Sequence, residues 1–293
     1  MATTAIRTRP TAWLAALRPR QWTKNLLVFA AIIFAGDLDQ SEKLLAAAGA
    51  FVVYCAASSA AYLLNDVRDV EHDRAHPVKR DRPIASGLVP PRAALVVAVV
   101  LAVVAFALAA VLGRWSVLVL CAFVALQLGY SLGLKHVVLI DVMAIAGLFV
   151  VRAVAGAVAV HVRISPWLLL CTGLLALFLA LAKRRGELVL VGADRTPGRP
   201  VLEGYSLALV DQLVAVVAAS TVIAYSLYTF TARDSKAMMA TIPFVLFGVF
   251  RYLLLVHRED AGEEPENVLL SDRPILACVA LWALTAALLL VNS

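Results

Sequence analysis

Nine apolar stretches, most of them near the ~20 residues that carry a helix across a bilayer, constrain this chain more than any other feature. They run approximately from Lys24 to Gly36, Lys43 to Leu64, Arg92 to Leu112, Trp115 to Leu134, Val137 to Val160, Pro166 to Ala182, Leu207 to Phe230, Met238 to Val256 and Pro274 to Val291; the first is short, with an alternative start near Pro19. In hydrocarbon a backbone must satisfy its own hydrogen bonds, and a continuous apolar run does so as a helix. The expected fold is therefore all-α and integral to a membrane, with nine transmembrane helices. Of the 293 residues, 62% are hydrophobic and 16% charged, which is more apolar surface than a soluble domain can bury.

Charge placement orients the chain. With nine crossings, the N-terminus and the even-numbered loops share one side, and nineteen of the 26 Lys and Arg residues fall there, against five on the other. Cationic loops stay cytoplasmic, so the expectation is a multi-pass plasma-membrane protein with its N-terminus inside and its C-terminus outside. The net charge of +6 then marks topology and a phosphate-facing side, and nucleic acid is a poor partner for it. The first apolar run leads into Asp37 and Asp39 without a small-residue cleavage site, so it is expected to be retained. Cys55, Cys121, Cys171 and Cys278 lie singly in the apolar segments and read as free, packed thiols.

The organisation is that of one integral-membrane domain over residues 1–293. Residues 1–22 read as an interfacial segment, because Trp13, Leu14, Leu17 and Trp22 alternate with Arg18 and Arg20. Three loops exceed connector length, 66–91, 183–206 and 257–273, and all three are expected to cap the cytoplasmic side, where the chemistry should lie.

The first of these loops opens on Asn65-Asp66-Val67-Arg68-Asp69-Val70-Glu71-His72-Asp73, which loads acids onto the end of a long apolar run. On a helix, at about 100° per residue, Asn65, Asp66, Asp69 and Asp73 fall within one sector. Hard oxygen donors on one face suit Mg²⁺, which is held through a few carboxylates and bridges to substrate phosphates. Lys79, Arg80 and Arg82 follow, so a diphosphate is the expected ligand. Gly87, after Ser86, reads as a turn glycine, and His76 as a loop contact.

The run from Tyr62 to Leu88, YLLNDVRDVEHDRAHPVKRDRPIASGL, resembles the first aspartate-rich motif of the UbiA-type membrane prenyltransferases, NDxxDxxxD followed by an RPI(A/P)SG turn. The resemblance covers essentially the whole chain. RPRQWTKN at Arg18 to Asn25, YSLGLKHVVLIDV at Tyr130 to Val142 and LALAKRRGEL at Leu179 to Leu188 make the chain most similar, within that superfamily, to the decaprenyl-phosphate phosphoribosyltransferases of mycobacterial and corynebacterial arabinan synthesis. The resemblance implies a helical bundle around a central cavity open to lipid, and Mg²⁺ and a diphosphate at the first motif. It also implies 5-phosphoribosyl 1-diphosphate as donor and a polyprenyl phosphate as acceptor. Ordinary members carry a second acidic motif after the sixth span. This chain has Lys183-Arg184-Arg185-Gly186-Glu187 there, which favours a site holding additional phosphate.

On this reading Asp66, Asp69 and Asp73 are the catalytic acids and, with Asn65, the metal ligands. Lys24, Lys79, Arg82, Lys135, Lys183, Arg184 and Arg185 are candidate phosphate clamps, and Tyr62, Tyr130 and Tyr205 candidate donors to ribose or phosphate oxygens. Arg74 and Glu187 join the binding set by position. Asp141 and Arg152 lie inside the fifth apolar segment, where a charge faces the bundle interior. About three helical turns apart, they share a face without touching, and for both, pairing to other helices and substrate contact are open; Arg152 is kept among the binding residues, while Arg251 leans towards pairing. A prenyltransferase joining a prenyl diphosphate to an aromatic acceptor is the alternative, and a lipid-phosphate transporter a more distant one. Self-association as a homo-oligomer is open.

Overall fold

The computed structural model describes residues 9–37, 39–76, 79–192, 200–231, 236–258 and 271–291. Helix α1 (Arg9–Leu17) leads into a 3₁₀ helix (Pro19–Phe29) and the short α2 (Ala30–Ala35). There follow α3 (Ser41–Arg68), α4 (Val70–Ala75), α5 (Pro91–Leu112), α6 (Arg114–Leu132) and α7 (Ile140–Ala159). The chain ends with α8 (Pro166–Gly192), α9 (Leu207–Thr231), α10 (Ile242–Arg258) and α11 (Arg273–Val291). Several boundaries follow from local chemistry. Pro91 and Pro166 sit in first turns, where a missing N–H costs nothing, and Gly113, at φ 118°, ends α5. The Asp272 carboxylate accepts the Ile275 N–H at 2.9 Å and caps α11.

Among the described residues, seven helical segments are long and apolar enough to cross a membrane: α3, α5, α6, α7, α8, α9 and Lys236–His257. The other two expected spans differ. The first begins at Pro19 and is mostly 3₁₀, with only the short α2 continuing it, and the last is a shorter apolar helix, Arg273–Leu289. Of the apolar window of α7, 56% is buried inside the protein, against 17% for α5 and 11% for α6. Helix α7 is therefore the core helix, and α5 and α6 turn Val96, Val103, Val111 and Leu118 outward, where lipid accepts them. Two cores share α7. Val142 packs with Phe178, Leu181, Val214 and Tyr252, while Leu148 and Ala155 pack with Val53, Tyr54, Ala105 and Phe123. Phe34 of α2 meets Tyr228 of α9 edge-on at 5.7 Å and lies 6.3 Å from Trp282 of α11, bringing the start of the bundle against its end.

The 3₁₀ segment lies against α7 with almost no gap. A Cβ added to Gly156 would fall 1.9 Å from the Val28 carbonyl oxygen, which is backbone and cannot rotate away. Small residues at such crossings let helices touch where lipid supplies little driving force for association. Gly156→Ala is expected to cost about 2–3 kcal/mol or more by overpacking, read as a lower apparent Tm in detergent; an unchanged Tm would show that the 3₁₀ segment yields freely.

The expected loops need correction. Loop 183–206 does not begin at Lys183, because α8 continues to Gly192. Lys, Arg, Glu and Leu are good helix formers, so the change in polarity does not end the helix, and Arg184 and Arg185 are buried within it. Likewise 66–91 begins as helix through Arg68 and again from Val70 to Ala75. Most of 257–273 lies outside the described residues, as do residues 1–8 of the N-terminal segment. The Thr11–Trp22 stretch breaks at Arg18, and Ala12 and Ala16 of α1 bury themselves against Leu63, Ile84, Val89, Ala94 and Ala98. Helix α1 therefore covers the end of the bundle that carries the acidic motif.

Candidate active site

The acidic motif spans the junction of α3 and α4. Asp69 leaves helical geometry there (φ −92°, ψ 10°), yet its N–H donates to the Asn65 carbonyl at 2.9 Å, and the Asp73 N–H donates to the Asp69 carbonyl at 2.8 Å. The i to i+4 ladder thus passes through the break. Asp66 and Asp73 are both buried and meet on one guanidinium: Arg82 Nη1 lies 3.3 Å from Asp66 Oδ1 and 2.7 Å from Asp73 Oδ2. Asp69 turns aside to Arg68, at 3.2 Å, and Arg68 also donates to the Ser131 carbonyl of α6 at 3.0 Å. Among the described residues no three His, Cys, Asp or Glu side chains gather closely enough to hold a metal by themselves. Two carboxylates already sharing a cation nevertheless fit a Mg²⁺ that takes its remaining ligands from phosphate and water.

Arg82 reaches the acids because the following turn is fixed. The Ser86 N–H donates to the Arg82 carbonyl at 2.9 Å, the Val89 N–H to the Pro83 carbonyl at 2.9 Å, and Gly87 takes φ 82°, as expected of a turn glycine. Arg74 braces the same turn through the Ala85 carbonyl, at 3.2 Å, and pairs with Glu71. His76 Nδ1 accepts the Lys79 N–H at 3.3 Å, a loop contact.

A residue passed over in the site reading completes the cluster. Arg18 donates through Nη2 to both oxygens of Asp66, at 2.6 and 2.9 Å, and its guanidinium stacks 4.8 Å from the Tyr62 ring centroid. In sequence it reads as one more cytoplasmic cation, and its reach depends on a left-handed backbone turn that no periodicity reveals. Lys24 lies in the 3₁₀ segment, Lys79 is half-buried at the head of the short turn Lys79–Asp81, and Lys135 is half-buried in the turn Leu134–His136.

A second cluster sits at the same end of the bundle, on α6, α7, α8 and the segment before α9. Arg184 is 1% exposed and donates through Nε to Asp141 at 2.6 Å, through Nη1 to Glu187, and reaches the Tyr130 hydroxyl at 3.5 Å. Tyr205 donates to Asp141 at 2.7 Å and accepts the Leu139 N–H at 2.7 Å. Burial, with the Asp141 hydrogen bond, pushes the Tyr205 hydroxyl up to about 12, so it stays protonated and donating at neutral pH. Arg185 pairs with Asp211 at 2.7 Å and donates to the Val256 carbonyl at 3.0 Å. Arg184 and Arg185, candidate phosphate clamps by sequence, here have protein partners. Their guanidiniums are engaged by carboxylates and carbonyls of neighbouring elements, and they tie helices together. Lys183, half-buried one position earlier, remains a phosphate candidate.

Arg152 is deeper. It donates through Nε to Asn25 Oδ1 at 2.8 Å and through Nη1 to its own helix at Leu148, and stacks on Phe123 and Phe149. Asn25, fully buried, donates in turn to Cys55 Sγ at 3.3 Å. Asp141 and Arg152 thus each find partners on other helices, and Arg251 pairs with Asp272 at 2.9 Å.

Among the described residues, an all-helical bundle with seven membrane-length helices and an acid–arginine centre at one end defines a multi-pass membrane protein. The chain belongs to the UbiA prenyltransferase family, whose pattern matches residues 25–271. It is 40% identical, over 92% of its length and 91% of the relative's, to decaprenyl-phosphate phosphoribosyltransferase of Mycobacterium tuberculosis. It is 36% identical, over 91% and 83%, to the protein of the same name from Corynebacterium glutamicum. Its fold is similar to that of a UbiA homolog from Archaeoglobus fulgidus bound to DMAPP and Mg²⁺, with a TM-score of 0.73 and 18% identity, covering 96% of this chain and 99% of that one.

Proposed function

We propose that this protein transfers 5-phosphoribose from 5-phosphoribosyl 1-diphosphate to decaprenyl phosphate or a similar polyprenyl phosphate, releasing diphosphate, in the synthesis of cell-wall arabinan precursors. The observation that carries the reading is the 40% identity over nine-tenths of the chain to a protein named for that reaction, and it includes the stretch where Lys183 to Glu187 stands. The site is read as facing the cytoplasm beneath cap loops, the chain as crossing nine times around a central cavity, with its N-terminus inside and C-terminus outside.

The reaction joins two anions. The C1–oxygen bond to diphosphate breaks, and a C1–oxygen bond to the lipid phosphate forms. Mg²⁺, held by Asp66 and Asp73, with Asn65 and Asp69 beside them and one helical turn apart, would neutralise the departing diphosphate. Arg82, whose Nη1 contacts both acids, is placed to donate to the donor's phosphates, and Lys24, Lys79, Lys135 and Lys183 add point charges that offset repulsion. Tyr62 and Tyr130 supply hydroxyls at the rim of the same end. The acceptor needs no strong base, because a phosphate monoester is largely ionised near neutrality, with a second pKa of about 6.

The test offers purified protein labelled 5-phosphoribosyl 1-diphosphate with a polyprenyl phosphate, and separately a prenyl diphosphate with aromatic acceptors. Phosphoribosylated lipid is the expected product, dependent on Mg²⁺. A prenylated aromatic product with no phosphoribosyl lipid would overturn the reading in favour of prenyl transfer.

A further inference from the structure

Arg18 is held where it is by an unusual amount of local structure. Its backbone lies in the left-handed region, φ 54° and ψ 59°, which is costly for a residue with a Cβ and persists only where the surroundings enforce it. One side chain on α3 enforces it from both sides: Ser59 Oγ donates to the Leu17 carbonyl at 2.9 Å and accepts the Trp22 Nε1–H at 3.0 Å. Ser59 lies seven positions before Asp66, about two turns along the same face of α3. The pinned turn therefore delivers the guanidinium down that face onto the carboxylate. Ala12 and Ala16 anchor the chain before it, and the Arg152–Asn25 bond anchors the chain after it.

The consequence lies in the oxygen count at Asp66. Oδ1 receives Arg18 at 2.6 Å and Arg82 at 3.3 Å, and Oδ2 receives Arg18 at 2.9 Å. A divalent cation on Asp66 competes with these guanidiniums for the carboxylate, and Arg18 holds the larger share of both oxygens. A displaced Arg18 stays within reach, stacked on Tyr62, and its planar fork matches a phosphate as well as a carboxylate.

We propose that Arg18 competes with the divalent cation for Asp66 and transfers its guanidinium to a phosphate of the bound diphosphate ester when the cation takes the carboxylate. Metal and donor then bind cooperatively: each releases the arginine that the other needs moved. This rests on the reading of Asp66 as a metal ligand, but not on the identity of the acceptor or of the sugar.

The exchange predicts effects of opposite sign from one substitution. In the purified full-length protein, Arg18→Gln is expected to tighten the binding of Mn²⁺ alone, followed by its electron paramagnetic resonance signal, by roughly tenfold, and to weaken the binding of 5-phosphoribosyl 1-diphosphate at saturating Mg²⁺ by a similar factor. Arg18→Lys, which keeps the charge without the fork, should leave metal binding near wild type and still weaken the donor. Parallel weakening of both ligands in Arg18→Gln would overturn the proposal, since that is what a purely structural role produces, and so would unchanged metal affinity. Should the wild-type protein bind inorganic diphosphate with Mg²⁺ but not 5-phosphoribosyl 1-diphosphate, the donor assignment fails, and the metal titration together with the diphosphate titration still decides the exchange.

Discussion

Asp73→Asn is expected to lower Mg²⁺-dependent turnover by about 10³-fold, since each factor of ten is about 1.4 kcal/mol and a metal at a leaving group supplies several kcal/mol. The bundle should stay folded. Asp73 meets Arg82, which is 30% exposed and keeps its contact with Asp66, so the substitution strands no buried charge. A partly hydrated pair of this kind is worth up to about 1 kcal/mol. Asp66→Asn should be as damaging to turnover, whereas Asp69→Asn should be milder, because Asp69 is directed to Arg68. Label transfer measured across a Mg²⁺ titration, beside thermal unfolding of each variant, reads both effects. Wild-type turnover with unchanged Mg²⁺ dependence in Asp73→Asn would remove the acid from the site.

Much of this site could be read from spacing alone. The sector expected for Asn65, Asp66, Asp69 and Asp73 needs only the helical period, and the ladder persists where Asp69 breaks the helix. Only Asp66 and Asp73 meet on one cation, however, while Asp69 turns to Arg68. The turn at Gly87 was legible because only a left-handed position explains a glycine there. What spacing could not give was which cation answers which acid. Arg18 and Asp66 are 48 positions apart, and Arg184 and Asp141 are 43 apart, so their meeting depends on how α1 folds back and how α7 lies against α8. A run such as Lys183-Arg184-Arg185 looks uniform in sequence, yet in the helix successive positions point about 100° apart, towards different neighbours. Arg184 faces α7, and Arg185 faces α9 and α10. The first span was similarly opaque: a 3₁₀ segment seated on Gly156 leaves the same apolar signature as an α-helix.

That distinction between an acid that serves chemistry and one that serves the fold gives the second large effect. Asp141 is fully buried, its partner Arg184 is 1% exposed, and the pair is closed at 2.6 Å. Asp141→Ala is expected to destabilise the protein by about 1–3 kcal/mol for each buried donor left without its acceptor, at Arg184 Nε and at the Tyr205 hydroxyl. Glu187 retains a contact with Arg184 but is itself slightly exposed, and it cannot replace the oxygen that accepts the Tyr205 hydroxyl. The damage should spread from there. Tyr205 holds the Leu139 N–H, and Leu139 sits at φ 67°, a conformation its side chain disfavours. Without Asp141 the turn before α7 loses the bracket that keeps this geometry, and Lys135 in the adjoining turn loses its fixed position. Asp141→Ala should therefore give a large drop in apparent Tm, whereas Glu187→Gln, which leaves the Asp141–Arg184 pair intact, should give a small one. Equal and minor losses in both variants would mean that water reaches Arg184 and that the pair is not the tie between α7 and α8 that its burial implies.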